Sequence, residues 1–593
     1  MVVERSCHTA DTWQGCPRAR IHKPGARLVR RGPVHNQPML LLLPLLHGSA
    51  ASVTPAVARQ PTAVVIGGGW AGFGAAWGLA QRGVAVTVLE ASSDAVGGLA
   101  AGWKGPDGLP VELGIHGFWR SYSNCFRLCD QIGLSENEVF TQWATPALYT
   151  RDGLSVAAPI FGDLPRLPTP LGSAVYPKFG RLSLADRASA IGLLYEFVDF
   201  DGSPEAWERY DGMSARDLYA RAGVSRSLYD EFLEPMNLVL PMAPGEEVSA
   251  AAALSLLQFF ALEHQADFDV RWLKGSLTET IFKRWVERLE GAGAQVLRGK
   301  RVNGVSLTGS TVEKVSCVDG SEYEADAVVM AVGISGAKAI VRGCPELASR
   351  SEFAEFFLLR AVDVVAIRLW LPRKLTGLPY PSNVVGGGVP ERLQDVGWTF
   401  YHLNELHDSM RDEEGSVIEC DFYHAGPLLP LSDSDAVRVA LEGLHTLLPE
   451  HFRSPDLEQS ELRHASVLKV PQAVSHFCPG AYRHLPQGVK APSLDNFYLA
   501  GDWVDRGGHR SWSQEKAMVT GLQAAAAAAS RMPRGTAASG ARTMSEAELT
   551  PLDVEETEPH VALARRANRE LLRQPLEAAR SLLPFLPLPG KRL

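Results

Sequence analysis

Between residues 63 and 90 the apolar pattern changes period. Residues 63–66 (AVVI) are an unbroken apolar run, three glycines follow, and 70–80 (WAGFGAAWGLA) is small or apolar on every side. Residues 84–89 (VAVTVL) then run apolar up to the acid Glu90. Runs of this length bounded by glycine predict strands buried on both faces, and an all-round apolar helix predicts burial between layers. Further along, 325–333 (ADAVVMAVG) and 496–500 (NFYLA) read as two more strands of the same kind. SYSNCFRLCDQIGL carries apolar residues at helical spacing (Cys125, Phe126, Leu128, Cys129, Ile132), and ALYTRDGLSVAAPI alternates like a hairpin. LADRASAIGLLYEFV, SARDLYARAG and AAAALSLLQFFALEH make 182–265 mostly helical, with apolar stripes that predict a greasy wall. The proline-rich stretch 164–177 predicts a loop over the entrance to that region, and 355–371 and 397–405 predict strands of a second sheet.

The glycines add chemistry to this pattern. Gly67, Gly69 and Gly72 satisfy GxGxxG between a strand and a helix, the context in which that spacing binds a dinucleotide. Gly67 allows the tight turn, Gly69 admits a pyrophosphate to the backbone, and Gly72 lets the helix lie close on its strand. The helix start then offers amides and a positive dipole end to phosphate. Glu90 stands eighteen positions after Gly72, where its carboxylate accepts hydrogen bonds from ribose hydroxyls and repels a 2′-phosphate, which disfavours NADP. Gly97 and Gly98 provide a second backbone approach to a pyrophosphate, which a simple NAD domain does not need, so FAD is the expected cofactor.

Downstream, Gly501-Asp502 closes the strand NFYLA, and Ser513-Gln514-Glu515 opens a second small-residue helix. This segment resembles the C-terminal flavin-contacting segment of the FAD-dependent amine oxidase and carotene desaturase superfamily. The resemblance spans roughly 60–530 and implies that Gly501 and Asp502 lie at the phosphate and ribityl chain. It also implies that the helix start at Glu515 lies beneath the flavin ring, with its positive end near the charge of the reduced form. Arg301-Val302 looks like the family's adenine-side strand, which makes Val302 a cofactor contact. GIHGFW (114–119), RWLKGS (271–276) and PGAYRHLP (479–486) resemble segments of the zeta-carotene and phytoene desaturase branch. The chain departs from the pattern at Leu99, where many relatives carry arginine, and at 513–517 (SQEKA), where SxEGA is usual. Ser513 also stands where amine oxidases place a cage aromatic, with Trp512 one step off, which weakens an amine oxidase reading.

The expected fold is α/β: a Rossmann-like FAD-binding domain from 60–150, 266–345 and 466–530, interleaved with an α+β substrate domain from 151–265 and 346–465. The resemblance implies desaturation of a carotenoid or other long isoprenoid by hydride transfer to flavin N5, with a quinone or oxygen as electron acceptor. The alternatives are a redox-neutral flavin-dependent isomerase or ring-modifying enzyme, an amine oxidase, and a non-catalytic binding protein. Because each buried CH2 contributes about 0.8 kcal/mol, tunnel walls alone hold a long hydrocarbon, and few polar site residues are expected. His116, Trp512 and Glu515 are the catalytic candidates, with Trp119 and Ser513 nearby; Lys274 is read as structural.

Composition narrows the partners. Of 593 residues 46% are hydrophobic and 21% charged, and the formal charge of −9 offers no basis for binding nucleic acid. Eight cysteines lie scattered without CxxC pairs or zinc spacing, so thiols and no metal are expected. Residues 1–59 are basic and include MLLLLPLL (39–46) followed by small residues, which predicts a removable targeting leader. A plastid destination reached by a signal-led bipartite leader is expected, with the secretory pathway as alternative. The tail, 531–593, is acidic over 546–558 and then amphipathic and basic, with a kink expected at Pro575 and peripheral membrane association as one outcome.

Overall fold

The computed structural model describes residues 59–105, 107–452, 462–504, 512–532, 544–553 and 557–572. The expected leader and the kink at Pro575 lie outside the described residues. The glycine-bearing stretch folds as anticipated into strand β1 (Thr62–Ile66), helix α1 (Trp70–Ala80) and strand β2 (Ala85–Leu89). They belong to a five-stranded sheet ordered Gln295–Leu297, β2, β1, Ala327–Met330, Phe497–Leu499, and every pairing in it is parallel. Ala63 and Val65 of β1 join the apolar cluster on the α1 face, whereas Val64 and Ile66 join the cluster on the other face. Burial on both sides explains why the strand is an uninterrupted apolar run.

On the α1 face lies the second small-residue helix, Gln514–Ala529. The two helices touch through backbone: a Cβ at Gly521 would stand 2.2 Å from the carbonyl oxygen of Ala71, and one at Gly74 2.8 Å from that of Met518. Small side chains are thus the condition for this packing. Helix α2 (Ser123–Ile132) completes the layer and presents Cys125, Leu128, Cys129 and Ile132 to the core, as their spacing anticipates. The six described cysteines are all free thiols.

The second sheet has eight strands, ordered His464–His476, Arg360–Trp370, Val417–Tyr423, Gly397–His402, Ser382–Val385, Ala147–Thr150, Gly153–Ala157 and Lys178–Phe179. It is antiparallel except where Ser382–Val385 meets Ala147–Thr150. Two of the expected domain boundaries cut through this sheet. Ala147–Thr150 falls before 151 and His464–His476 straddles 466, because pairing partners rather than chain order assign a strand to a sheet. Both sheets belong to the unit that runs from Ala58.

Between the sheets stands a helical block over 184–262. Ser183, Ser203, Ser214, Ser225 and Ser249 each cap a helix by accepting a backbone N–H. The stretch LADRASAIGLLYEFV, expected to be mostly helical, forms two helices, Leu184–Ala188 and Ile191–Asp199. Close approach of the second helix to a neighbour accompanies the break: a Cβ at Gly192 would lie 2.0 Å from the carbonyl oxygen of Ala222. The tail adds helices Glu546–Leu549 and Pro559–Ala567. Among the described residues no helix is long and apolar enough to cross a membrane, and no cluster of potential metal ligands occurs.

Candidate functional site

The carboxyl ends of the parallel strands meet in a crevice where the connections diverge, β1 having β2 on one side and Ala327–Met330 on the other. That is the position at which open α/β sheets take ligands. Gly67 has φ of 106°, and a Cβ there would stand 2.5 Å from the carbonyl oxygen of Ala331. A Cβ at Gly72 would lie 1.9 Å from the oxygen of Gly67, so α1 can start this close to β1 only with glycine. Gly69 caps α1 with no side-chain hydrogen bond, which leaves the start of the helix to an anion. The second glycine pair folds onto the first: Gly97 N–H donates to the oxygen of Gly68 at 2.8 Å, and Gly69 bridges Gly97.

Glu90 ends β2 almost fully buried. Its two carboxylate oxygens accept from the N–H of Gly68 at 2.9 Å and of Ser92 at 2.7 Å. Each oxygen retains a lone pair, so the group fits two ribose hydroxyls. Gly68, overlooked in the sequence because GxGxxG leaves that position open, is as constrained as its neighbours: a Cβ there would stand 2.9 Å from Glu90 Oε2. The unbroken run of glycines from 67 to 69 was the available signal. Lys300 N–H donates to the Glu90 carbonyl at 2.7 Å, which brings Val302, the first residue of the strand Val302–Thr308, alongside.

At the far end of the crevice Gly501 has φ of 152°, its N–H donates to Thr520 Oγ1 at 3.0 Å, and Asp502 accepts from Ser475 at 3.1 Å. The helix Gln514–Ala529 begins beside them, capped by Ser513, whose hydroxyl accepts from Lys516 N–H at 3.2 Å. Gln514 reaches across to the oxygen of Gly117 at 2.9 Å, which brings the 114–119 loop to this helix start. Glycine cradle, ribose-facing carboxylate, second glycine pair and the opposing helix start together fit FAD extended along the crevice.

Among the catalytic candidates, Glu515 is held by the neighbouring helix. It is fully buried, and its oxygens accept from Asn124 N–H, Asn124 Nδ2 and Cys125 N–H at 2.8 Å each. Burial raises its pKa and these donors oppose the shift. The carboxylate thus anchors the helix start at Gln514 to the N-terminus of α2. Trp512 stacks on Phe477 with ring centroids 3.7 Å apart and meets Trp207 edge-on. His116 is half-buried, with Nδ1 3.1 Å from the oxygen of Gly114. A carbonyl only accepts, so Nδ1 carries the proton and Nε2 is the basic nitrogen. Burial lowers the pKa of the ring, against a smaller opposing effect of Glu112.

The second sheet carries a buried polar face beside the 114–119 loop. Along Val417–Tyr423, Ile418, Cys420 and Phe422 face the apolar cluster on one side, and Glu419, Asp421 and Tyr423 alternate with them. Arg368, 1% exposed, bonds Glu419, bonds Glu112 at 3.0 Å and donates to the Pro110 oxygen at 2.8 Å. Asp421 Oδ2 accepts from Ile115 N–H at 2.9 Å, and its Oδ1 has no partner among the described residues. Burial and the Glu419 charge raise the Asp421 pKa well above the carboxylate range, and Glu419 is pushed up to about 6 by burial against the pull of Arg368. The polar face therefore grips the loop that carries His116. Strict alternation in VIECDFY was the signal for it.

Comparison with known proteins follows the same lines. The profile of the family described as flavin containing amine oxidoreductase matches residues 70–529. The 15-cis-phytoene desaturase of Solanum lycopersicum is 26% identical over 471 residues, covering 77% of this chain and 76% of that one. A probable zeta-carotene desaturase of Synechococcus elongatus is 26% identical over 495 residues, covering 78% of this chain and 97% of that one. Among solved structures, a putative protoporphyrinogen oxidase from Exiguobacterium superposes with a TM-score of 0.58 at 15% identity, over 80% of this chain and 100% of the other. A putrescine oxidase variant has the same TM-score and identity. Both structures share the fold.

Proposed function

The chain belongs to the flavin-containing amine oxidoreductase family and is an FAD-dependent oxidoreductase of carotene-desaturase type; from that premise we propose that it desaturates a carotenoid or another long isoprenoid. The observation that carries the choice of substrate is the wall above the start of the helix Gln514–Ala529. Trp119, Tyr122, Phe259 and Phe260 pack with ring centroids 4.9 to 6.5 Å apart, and Tyr122 hydrogen-bonds Ser513 at the helix cap. Such walls hold hydrocarbon by exclusion of water.

Bound FAD supplies a hydride acceptor at N5. Loss of a hydride from an allylic carbon and of a proton from its neighbour creates one double bond, and the two electrons pass onward to a quinone or oxygen. Gly67, Gly69, Gly72, Gly97 and Gly98 hold the pyrophosphate, Glu90 the ribose, Val302 the adenine side, and Gly501 and Asp502 the ribityl side. Trp512 packs the wall, and His116 Nε2 accepts the proton. Its neutral form prevails above a pKa below the ordinary 6.5, so desaturation persists to lower pH than an unshifted histidine allows.

Exposed Leu171, Val175, Leu184 and Ile191, on neighbouring short helices of the 164–199 region, support docking on a membrane that holds such substrates. The chloroplastic relatives and the basic leader support a plastid location. Anaerobic mixing with phytoene or zeta-carotene tests the reading: bleaching of the flavin with formation of a product two hydrogens lighter is expected. Product isomers formed only by pre-reduced enzyme instead identify a redox-neutral isomerase.

A further inference from the structure

A cavity of about 320 Å3 opens beside the aromatic wall, lined by Phe161, Leu164 and Phe259 together with polar residues that include Arg120, Arg166 and Gln265. Phe259 belongs to the wall that leads through Tyr122 to Ser513, so the cavity and the start of the helix Gln514–Ala529 share one lining. One rim is the segment from Leu164 to Thr169, and it is pinned from two sides. From within, Gln265 accepts from Leu167 N–H at 2.8 Å and donates to the oxygens of Phe161 and Pro165 at 3.2 Å. From outside it is held by the C-terminal segment, which lies beyond the 70–529 family match. Glu558, with a side chain 9% exposed, accepts from Arg166 at 2.8 and 3.2 Å through one oxygen and from Thr169 N–H at 3.1 Å through the other. His560 adds a contact to the Thr169 oxygen at 2.7 Å.

The same segment reaches the cofactor side of the cavity. Leu552 N–H donates to Asn124 Oδ1 at 2.7 Å, and Asn124 Nδ2 donates to the Leu552 oxygen at 3.1 Å while also donating to Glu515. Asn124 follows Ser123, which itself lines the cavity. Beyond Glu558, Asn568 bonds Asp199 at 2.9 Å and Arg569 pairs with Asp201, which fastens the segment to the helical block.

We propose that this cavity is the port through which a long isoprenoid hydrocarbon enters, and that Glu558 is a positioning residue that sets the port by holding its rim. The inference rests on the reading of a long apolar substrate. The charged side chains that line the cavity are paired within the protein, Arg120 with Asp269, Arg166 with Glu558 and Asp267 with His264, which leaves the apolar lining to select the ligand. Exposed Leu171, at 52%, follows directly on the rim and places an apolar surface next to the opening.

The test uses full-length, FAD-loaded protein and two readouts, equilibrium binding of radiolabelled squalene and the rate of anaerobic flavin bleaching by phytoene. Leu164→Trp fills the port and is expected to weaken squalene binding roughly tenfold, about 1.4 kcal/mol. Glu558→Ala is expected to raise the phytoene concentration for half-maximal bleaching roughly threefold, about 0.6 kcal/mol, with the saturated rate and flavin content unchanged. Glu558→Gln, which can still accept from Thr169, should recover part of that loss. Wild-type squalene binding by Leu164→Trp, or no squalene binding by the wild type, overturns the port. Loss of flavin or of the saturated rate in Glu558→Ala, without rescue by Glu558→Gln, overturns the positioning role. If phytoene bleaches all variants alike, the desaturase reading stands and the port falls; if squalene binding responds as expected but no polyene bleaches the flavin, the port stands and the desaturase reading falls.

Discussion

Glu90 and Asp421 show how the surroundings of a carboxylate set its work. Glu90 is held by two backbone N–H groups and keeps lone pairs for ribose hydroxyls. Glu90→Gln replaces charged acceptors by neutral ones and is expected to weaken FAD binding by about 1–2 kcal/mol, roughly five- to thirtyfold, in titrations of the apoprotein. Asp421 is buried against Glu419, and burial and that charge both raise its pKa and favour the protonated form. A raised acid adds stability in full below its unfolded value of 3.8 and loses it as pH rises through the folded pKa. Asp421→Asn keeps the acceptor for Ile115 N–H without a titrating group, so its stability relative to wild type should climb with pH above about 4. Asp421→Ala strands that N–H and should cost about 1–3 kcal/mol at any pH. Urea unfolding across pH measures both, and a steep loss of stability in Asp421→Asn contradicts the neutral acid.

Helix packing around the crevice depends on glycine and on one buried carboxylate. Gly72, Gly74 and Gly521 allow backbone contact between β1, α1 and the helix Gln514–Ala529, and the sequence announces this through its small-residue runs. Glu515 is different. Its chemistry was visible at a helix start, yet its partners Asn124 and Cys125 lie 391 and 390 positions away. No spacing rule connects segments so far apart. Glu515→Ala leaves two N–H groups at the start of α2 without their acceptor and should cost about 3–5 kcal/mol, with release of flavin, in denaturant titrations followed by flavin fluorescence. The break between the helices Leu184–Ala188 and Ile191–Asp199 was hidden for a related reason, since apolar spacing says nothing of the approach of Ala222 to Gly192.

A buried charge cluster ties the eight-stranded sheet to the short strand Pro110–Glu112, with Arg368 serving Glu112 and Glu419 beside Asp421. Removing one partner of such a cluster strands the others. Arg368→Met should cost about 3–5 kcal/mol, and less at pH 5 than at pH 8 because the carboxylates then take up protons. Equal losses at the two pH values in urea titrations exclude a charge-based role.

Strand, glycine turn, small-residue helix and terminal acid were legible in the chain because each depends on neighbours a few positions apart, whose backbone sterics and side-chain period act locally. From them followed the α/β class and the cofactor. The partners of Glu515, and what Asp421 and Glu558 do, were not legible. Their roles arise where packing of apolar layers brings remote segments within hydrogen-bond reach, and burial there, not residue type, decides whether a carboxylate binds a ligand, keeps its proton or clamps a loop.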